Sequence, residues 1–300
     1  AFKAYSIWVS RERLPLINGF HMAVGGLGAL SGTVPVEAAL SYTDWRGVFL
    51  FLGSLTVLAS AVIFIIVPKR NESEIKETSG GMKSQLNGVI TVFTSPMFWW
   101  VAPFTVASQA AFLATQSLWA GPWLHDVGGL ERDQVASHLL LVAASMVAGF
   151  ASSGVITDRL RRFGIKPLSI AVAGISIFII VQCLITFRLV DAALPLWMMF
   201  GFFGTTGILP YAALSQKFPL HLSGRVTTGL NLLVFVSAFA TQWATGAIIG
   251  LWPKTAVGGY DPAGYQAAFG VIIGFQVLGL LWLIVFGKGR REFAIAQQDI

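Results

Sequence analysis

Long apolar runs separated by short polar breaks make up most of this chain. Runs of about twenty residues lie at 14–38, 47–67, 96–119, 134–156, 167–189, 193–215, 226–251 and 265–287. A run of that length crosses a hydrocarbon core of roughly 30 Å as an α-helix. The runs are rich in Leu, Ala, Gly and Phe and show no strict alternation, so they predict transmembrane helices and not the strands of a β-barrel. Their internal Gly and Pro are no objection, since both are commoner in membrane helices than in soluble ones. A further apolar stretch, "AFKAYSIWV" at 1–9, is too short to span before "SRER" ends it. It reads as the inner end of a helix that begins upstream, because it has no cationic start of the signal-peptide kind.

Composition agrees with a membrane interior. Hydrophobic residues make up 55% of the chain and charged residues 11%, against about a quarter charged in a soluble domain. The net charge of +6 would suit a nucleic-acid partner, but its placement does not. Fifteen of the twenty Lys and Arg fall in the breaks at 10–13, 68–95, 157–166, 216–225 and after 287. The alternating breaks hold Arg46, Arg132, Arg188 and Lys254, and Lys3 is left inside the first apolar stretch. This asymmetry predicts that the basic-rich breaks and the C-terminus are cytoplasmic. The expected location is the plasma membrane, the inner membrane of a bacterial cell.

Several chemistries find no support. The single cysteine, Cys183, lies in an apolar run, and the histidines at 21, 125, 138 and 221 are scattered without metal-ligand spacing. No GxxxxGK[ST] loop is present. Neither a cofactor nor a metal is expected. An intramembrane enzyme would need convergent catalytic groups at membrane depth, yet only Lys3, Glu37 and Arg188, the last at the very end of its run, are charged within the apolar runs. A channel would need a selectivity filter, and none is recognisable.

The break at 68–95, which includes "PKRNESEIKETSGGMKSQ", has the mixed charge and Ser/Gly content of a linker between two membrane halves. Six runs come after it and two precede it, so equal halves imply further spans upstream of residue 1. Repeated features support such halves. Arg13 precedes one run with Asn18 and Gly19 a turn in, while Arg225 precedes another with Gly229 and Asn231 at similar depth. The next run opens with Trp45 and Phe49 in one half and Tyr265 and Phe269 in the other.

Between the second and third runs of the six-run half lies "GVITDRLRRFG", residues 154–164. It resembles the GxxxDRxGRR signature of the major facilitator superfamily, with Gly154, Asp158, Arg159 and Arg162 matching and Arg161 standing where Gly is usual. The resemblance implies an all-α integral membrane fold of two six-helix bundles. Residues 1–67 would end the first bundle, 68–95 would be the cytoplasmic linker, 96–287 the second bundle and 288–300 a cytoplasmic tail. It implies a secondary active transporter of a small solute working by alternating access, with proton coupling or drug and metabolite efflux as variants. Its expected partners are the solute, membrane lipid and protons, and it would act as a monomer. Asp158 would latch the cytoplasmic side against the helix start near Arg13 to Asn18, where unpaired N–H groups favour a carboxylate.

The resemblance also says where a solute would go. The family lines its cavity mainly with its first, fourth, seventh and tenth spans, of which 96–119, 193–215 and the tail 1–9 are here. In 96–119, Thr105, Gln109, Phe112, Gln116 and Trp119 recur at spacings of three and four and so share a helical face. Amides are costly in lipid, which points that face toward protein or water. In 193–215, Gly201, Gly204, Gly207 and Pro210 weaken the helix near its middle, and Tyr211 comes next with a hydroxyl to offer.

The run 14–38 carries His21, Gly25, Gly28 and Gly32 on one face, expected to approach Ala144, Ala148 and Ser152 closely. His21 and Glu37 are the candidate coupling residues. Glu37 suits a structural ion pair equally well, since it lies near the outer end of its run. "GGLGALSGTVP" at 25–35 is similar to the nitrate/nitrite porter branch, but Gly26 replaces the Asn of that signature and the run 226–251 has no second copy.

Overall fold

A computed structural model of the chain describes residues 34–66, 82–187, 192–255 and 258–296, together with a few positions between 24 and 32. Among the described residues there are helices and no strands. We number them α1 (Val34–Leu40), α2 (Trp45–Ile66), α3 (Met82–Thr94), α4 (Pro96–Asp126), α5 (Arg132–Arg162), α6 (Pro167–Thr186), α7 (Ala193–Ser215), α8 (Leu220–Ile249) and α9 (Pro262–Ala296). Seven of them, α2 and α4 to α9, are long and apolar enough to cross a membrane. The eighth expected span, 14–38, falls mostly outside the described residues, as do the tail 1–9, Arg13, Asn18 and His21.

Helices α4 to α9 form one bundle. Helix α4 packs on α8 and α9, α7 packs on α5 and α6, and α6 also meets α9. Two buried clusters fill it. One contains Phe112, Trp123, Phe178, Trp197 and Phe200, and the other contains Phe98, Phe104, Ile175, Leu214 and Leu230. Helix α2, by contrast, has no buried residue.

Close backbone approach needs glycine where helices cross, because lipid gives apolar side chains no reason to leave it. A Cβ on Gly149 of α5 would lie 2.6 Å from the Phe202 carbonyl of α7, and one on Gly201 of α7 would lie 2.7 Å from the Val142 carbonyl of α5. This tight crossing of α5 is with α7, whereas the expected approach of 14–38 to Ala144, Ala148 and Ser152 falls mostly outside the described residues. Among the described residues a Cβ on Gly25 or Gly28 would meet nothing within 4 Å. Ala144 and Ala148 are exposed.

Two of the polar segments are helical. The second half of the expected linker is helix α3, which lies against α8, with Gly88 facing the end of the Arg225 side chain. Helix α9 continues past 287 to Ala296, so the expected tail is helical for most of its length.

The GxxxDR stretch is helical as well. Gly154, Asp158, Arg159 and Arg162 belong to the final turns of α5, and only Phe163 to Lys166 form the connection to α6. The turn is written in "RRFGIKP". Gly164 takes φ +79°, its N–H donates to the Arg161 carbonyl (2.9 Å), and Ile165 N–H donates to the Leu160 carbonyl (3.1 Å). Those two bonds close the helix in a Schellman motif, which favours glycine at that left-handed position. Pro167 then opens α6 at a position where no N–H is needed. Arg159, Arg161 and Arg162 sit in the last turn of α5, where cations complement the helix dipole.

Candidate functional site

Two membrane helices, α4 and α7, lose regular geometry near mid-span. Helix α4 contains a π-turn at Thr115–Trp119, and α7 contains a 3₁₀ turn at Thr205–Ile208. Such turns inside a helix release carbonyls and re-aim side chains, and they concentrate at functional sites. Gly204 and Gly207 flank or lie in the 3₁₀ turn, with Pro210 soon after it, so the sequence weakens the helix where the structure breaks it.

Gln109 joins the two helices. Its Nε2 donates to the Gly204 carbonyl at 3.1 Å, which satisfies an acceptor at the start of the 3₁₀ turn. A Cβ on Gly207 would collide with the same amide, and one on Gly204 would collide with the Phe112 ring. Glycine is therefore required at both positions by the side chains of α4. Phe112 packs on Phe178 and Phe200, with centroids at 6.0 and 5.7 Å.

The remaining sequence candidates on this face separate by environment. Thr105 is fully buried and its hydroxyl donates to the Val101 carbonyl of its own helix (3.1 Å). Trp119 is buried, and its Nε1 donates to the Gln242 carbonyl of α8 (3.3 Å). Gln116 is half-buried and has no hydrogen-bond partner among the described residues. Tyr211 donates to Oδ1 of Asn231 at 3.3 Å, which ties α7 to α8. In the π-turn, the Ser117 hydroxyl accepts from the Gln242 amide (2.8 Å).

The motif at the end of α5 is open to its surroundings. Gly154, Asp158, Arg159 and Arg162 are all exposed. Their expected counterpart near Arg13 to Asn18 lies outside the described residues.

At the opposite end of α5, Glu37 and Arg132 meet in a two-point ion pair. Nε of Arg132 is 2.9 Å from Oε1 of Glu37, and its NH2 nitrogen donates to Oε2 at 3.1 Å. The pair joins α1 to α5 across 95 residues. Arg132 and Asp158 thus occupy two ends of one 31-residue helix, about 39 Å apart at roughly 1.5 Å per residue.

A second polar cluster near Arg132 was missed by sequence reasoning. Asp126, at the end of α4, has a side chain only 7% exposed. Its Oδ1 lies 2.9 Å from Nδ1 of His125, and its Oδ2 accepts from the Tyr265 hydroxyl (2.7 Å) and the Tyr260 N–H (3.2 Å). This carboxylate fastens the α8–α9 connection onto α4. Asp126 could have been flagged as an acid directly beside an apolar run, but both tyrosines lie more than 130 residues away.

An apolar cleft of about 700 Å³ also opens between α4, α8 and α9, lined by residues such as Trp99, Ala107, Ala244 and Phe275. It lies on a different face of α4 from Gln109.

A bundle of membrane-length helices, two of which lose regular geometry within the span, is the architecture of a polytopic membrane protein. The chain is matched by the family model of the Major Facilitator Superfamily over residues 5–242, and it belongs to that family of multi-pass membrane transporters. No curated protein matches the chain.

Proposed function

We propose that the protein is a secondary active transporter that moves a small solute by alternating access. The observation that carries the reading is α5 itself. One continuous helix is paired to α1 of the first half by Arg132 at one end and carries the Asp158 motif at the other. Rocking one bundle against the other separates one end while it brings the other together. On the charge asymmetry of the loops, the motif end is cytoplasmic and the Arg132 end is extracytoplasmic.

The energetics of the Arg132 end suit a gate. Arg132 is 74% exposed and Glu37 38% exposed, and exposed ion pairs contribute about 0–1 kcal/mol. Such a pair can hold a state without trapping it. Glu37 combines this latch with the candidate coupling role given by its place within an apolar run.

In this reading Gln116 lies on the solute path, with Gln109 joining the moving helices at mid-depth. Thr105, Trp119 and Tyr211 hold the wall. The Gly154–Arg162 motif closes the cytoplasmic end.

Reconstitution tests the proposal. Proteoliposomes loaded with unlabelled solute should accumulate labelled solute transiently, and flux should saturate with concentration. Single changes Glu37→Arg and Arg132→Glu should each impair counterflow, and the exchanged pair should recover it. Flux that rises linearly without counterflow would refute alternating access.

A further inference from the structure

A cavity of about 520 Å³ lies at the Arg132 end of the bundle, lined by His125, Asp126, Arg132, Val135, Lys254 and Tyr260 among others. Its chemistry is unusual for that end. Only four Lys and Arg fall in the breaks assigned to that side, and two of them, Arg132 and Lys254, converge here although they are 122 residues apart. His125 adds a third nitrogen base.

Counting donors and acceptors decides what the cavity can bind. Among the described residues, Asp126 is the one carboxylate that lines it. Both of its oxygens are occupied by His125, Tyr260 and Tyr265, and Gly259 packs against Oδ1 so closely that a Cβ there would lie 2.6 Å away. Glu37 has both oxygens on Arg132. The lining carboxylate and the one paired to Arg132 are therefore in use, and Asp133, exposed beside Arg132, lies outside the lining. The donors are not in use. Lys254 is exposed and has no partner among the described residues, and an ammonium carries three N–H donors. Arg132 uses Nε and one terminal nitrogen on Glu37, whereas a guanidinium has five N–H donors in a fixed fork.

A cavity with surplus charged donors and no free carboxylate recognises an acceptor-rich, negatively charged solute. We infer that this is an extracytoplasmic anion-recognition site, which takes a small carboxylate or inorganic oxyanion on Lys254 and Arg132. The bound anion competes with Glu37 for the Arg132 fork, so its arrival loosens the pairing between α1 and α5. The recruiting role rests on the transporter reading, whereas the binding site does not.

The test is equilibrium binding to the purified protein in nanodiscs of zwitterionic lipid, at constant ionic strength set with chloride. Succinate and sulfate serve as the carboxylate and oxyanion probes, and thermal stability is the readout. Saturable stabilisation by either probe is expected and identifies the preferred chemistry. Lys254→Gln should weaken that binding about tenfold, as expected for loss of a charge-assisted hydrogen bond, and Lys254→Arg should retain it. Arg46→Gln, a change outside the cavity, should leave it unaltered. Glu37→Gln should tighten binding, since it frees the Arg132 fork.

Absence of saturable stabilisation by both probes overturns the site. Equal losses in Lys254→Gln and Arg46→Gln overturn it too, because they reveal general surface charge. Unchanged affinity in Glu37→Gln refutes the competition. Uptake assayed in parallel separates the two readings: binding without uptake establishes the site and refutes its recruiting role, and uptake without binding refutes the site alone.

Discussion

Gln182 of α6 and Gln276 of α9 exchange a pair of hydrogen bonds inside the bundle, each amide donating to the other's carbonyl at 3.0 and 3.1 Å. Both side chains are buried, so neither amide has water as an alternative partner. Removal of one member leaves the other's carbonyl without a donor and its amide with only a long bond to a carbonyl of its own helix (3.5 Å), whereas removal of both leaves no side-chain group unsatisfied. Gln182→Leu or Gln276→Leu alone should destabilise the bundle by about 1–3 kcal/mol. The double change should recover most of that loss. Unfolding of the four proteins in mixed micelles measures the cycle, and additive losses would contradict the pairing.

The contact between Gln109 and Gly207 makes a second prediction. Gly207→Ala places a methyl group where the Gln109 amide lies, and overpacking of this kind costs about 1–3 kcal/mol. Gln109→Ala in the same chain should relieve the clash and restore stability. It should not restore transport, because the Gly204 carbonyl then loses its donor across the α4–α7 contact. A double variant that regains full transport would assign Gln109 to packing alone.

Accessibility separates the residues of the α4 face. Cysteine at position 116 should react with a small hydrophilic thiol reagent, since Gln116 is half-buried without a protein partner among the described residues. Cysteine at position 105 should react far more slowly, because Thr105 is fully enclosed. Labelling in native membranes gives the comparison directly. Equal rates at the two positions would remove Gln116 from the solute path.

The exposed carboxylate near the end of α5 is a separate matter. Asp158→Asn keeps the shape of the side chain and removes its charge. If it latches the cytoplasmic end, transport should fall roughly tenfold, within the usual range of conformational coupling energies, while membrane insertion is unchanged. Transport assays on proteoliposomes of matched protein content provide the check, and an unaltered rate would leave Asp158 without a gating role.

The spans were legible because membrane thickness fixes their length, and hydropathy reports length well. The end of α5 was not: the charges of "TDRLRR" end the apolar run at 156, whereas the glycine and proline of "RRFGIKP" end the helix at Arg162. The weak point of α7 could be read from Gly204, Gly207 and Pro210. Its partner could not, because nothing in the spacing of α4 says that Gln109 turns toward Gly204. The π-turn at Thr115–Trp119 was equally hidden, since hydropathy is blind to a one-residue change of register. Glu37 was recognised as an acid at an interfacial depth, but Arg132 became its partner only when the chain folded. Asp126 went unnoticed for the same reason. Sequence periodicity describes one helix at a time, and these contacts belong to pairs of helices distant in sequence.

The crossing of α5 and α7 at Gly149 and Gly201 has a mechanical consequence. Each glycine lets a carbonyl of the other helix come within 3 Å of where a Cβ would stand, so α5 and α7 would tilt as a pair in the bundle rocking proposed above, and this level is taken as its pivot. From Gly149 the helix extends about 26 Å to Arg132 and about 14 Å to Asp158, at roughly 1.5 Å per residue. The arms of this lever are unequal by nearly two to one. A tilt of the pair about that level that shifted Asp158 by one ångström would sweep Arg132 through almost two, enough to part an ion pair while the motif end has barely moved.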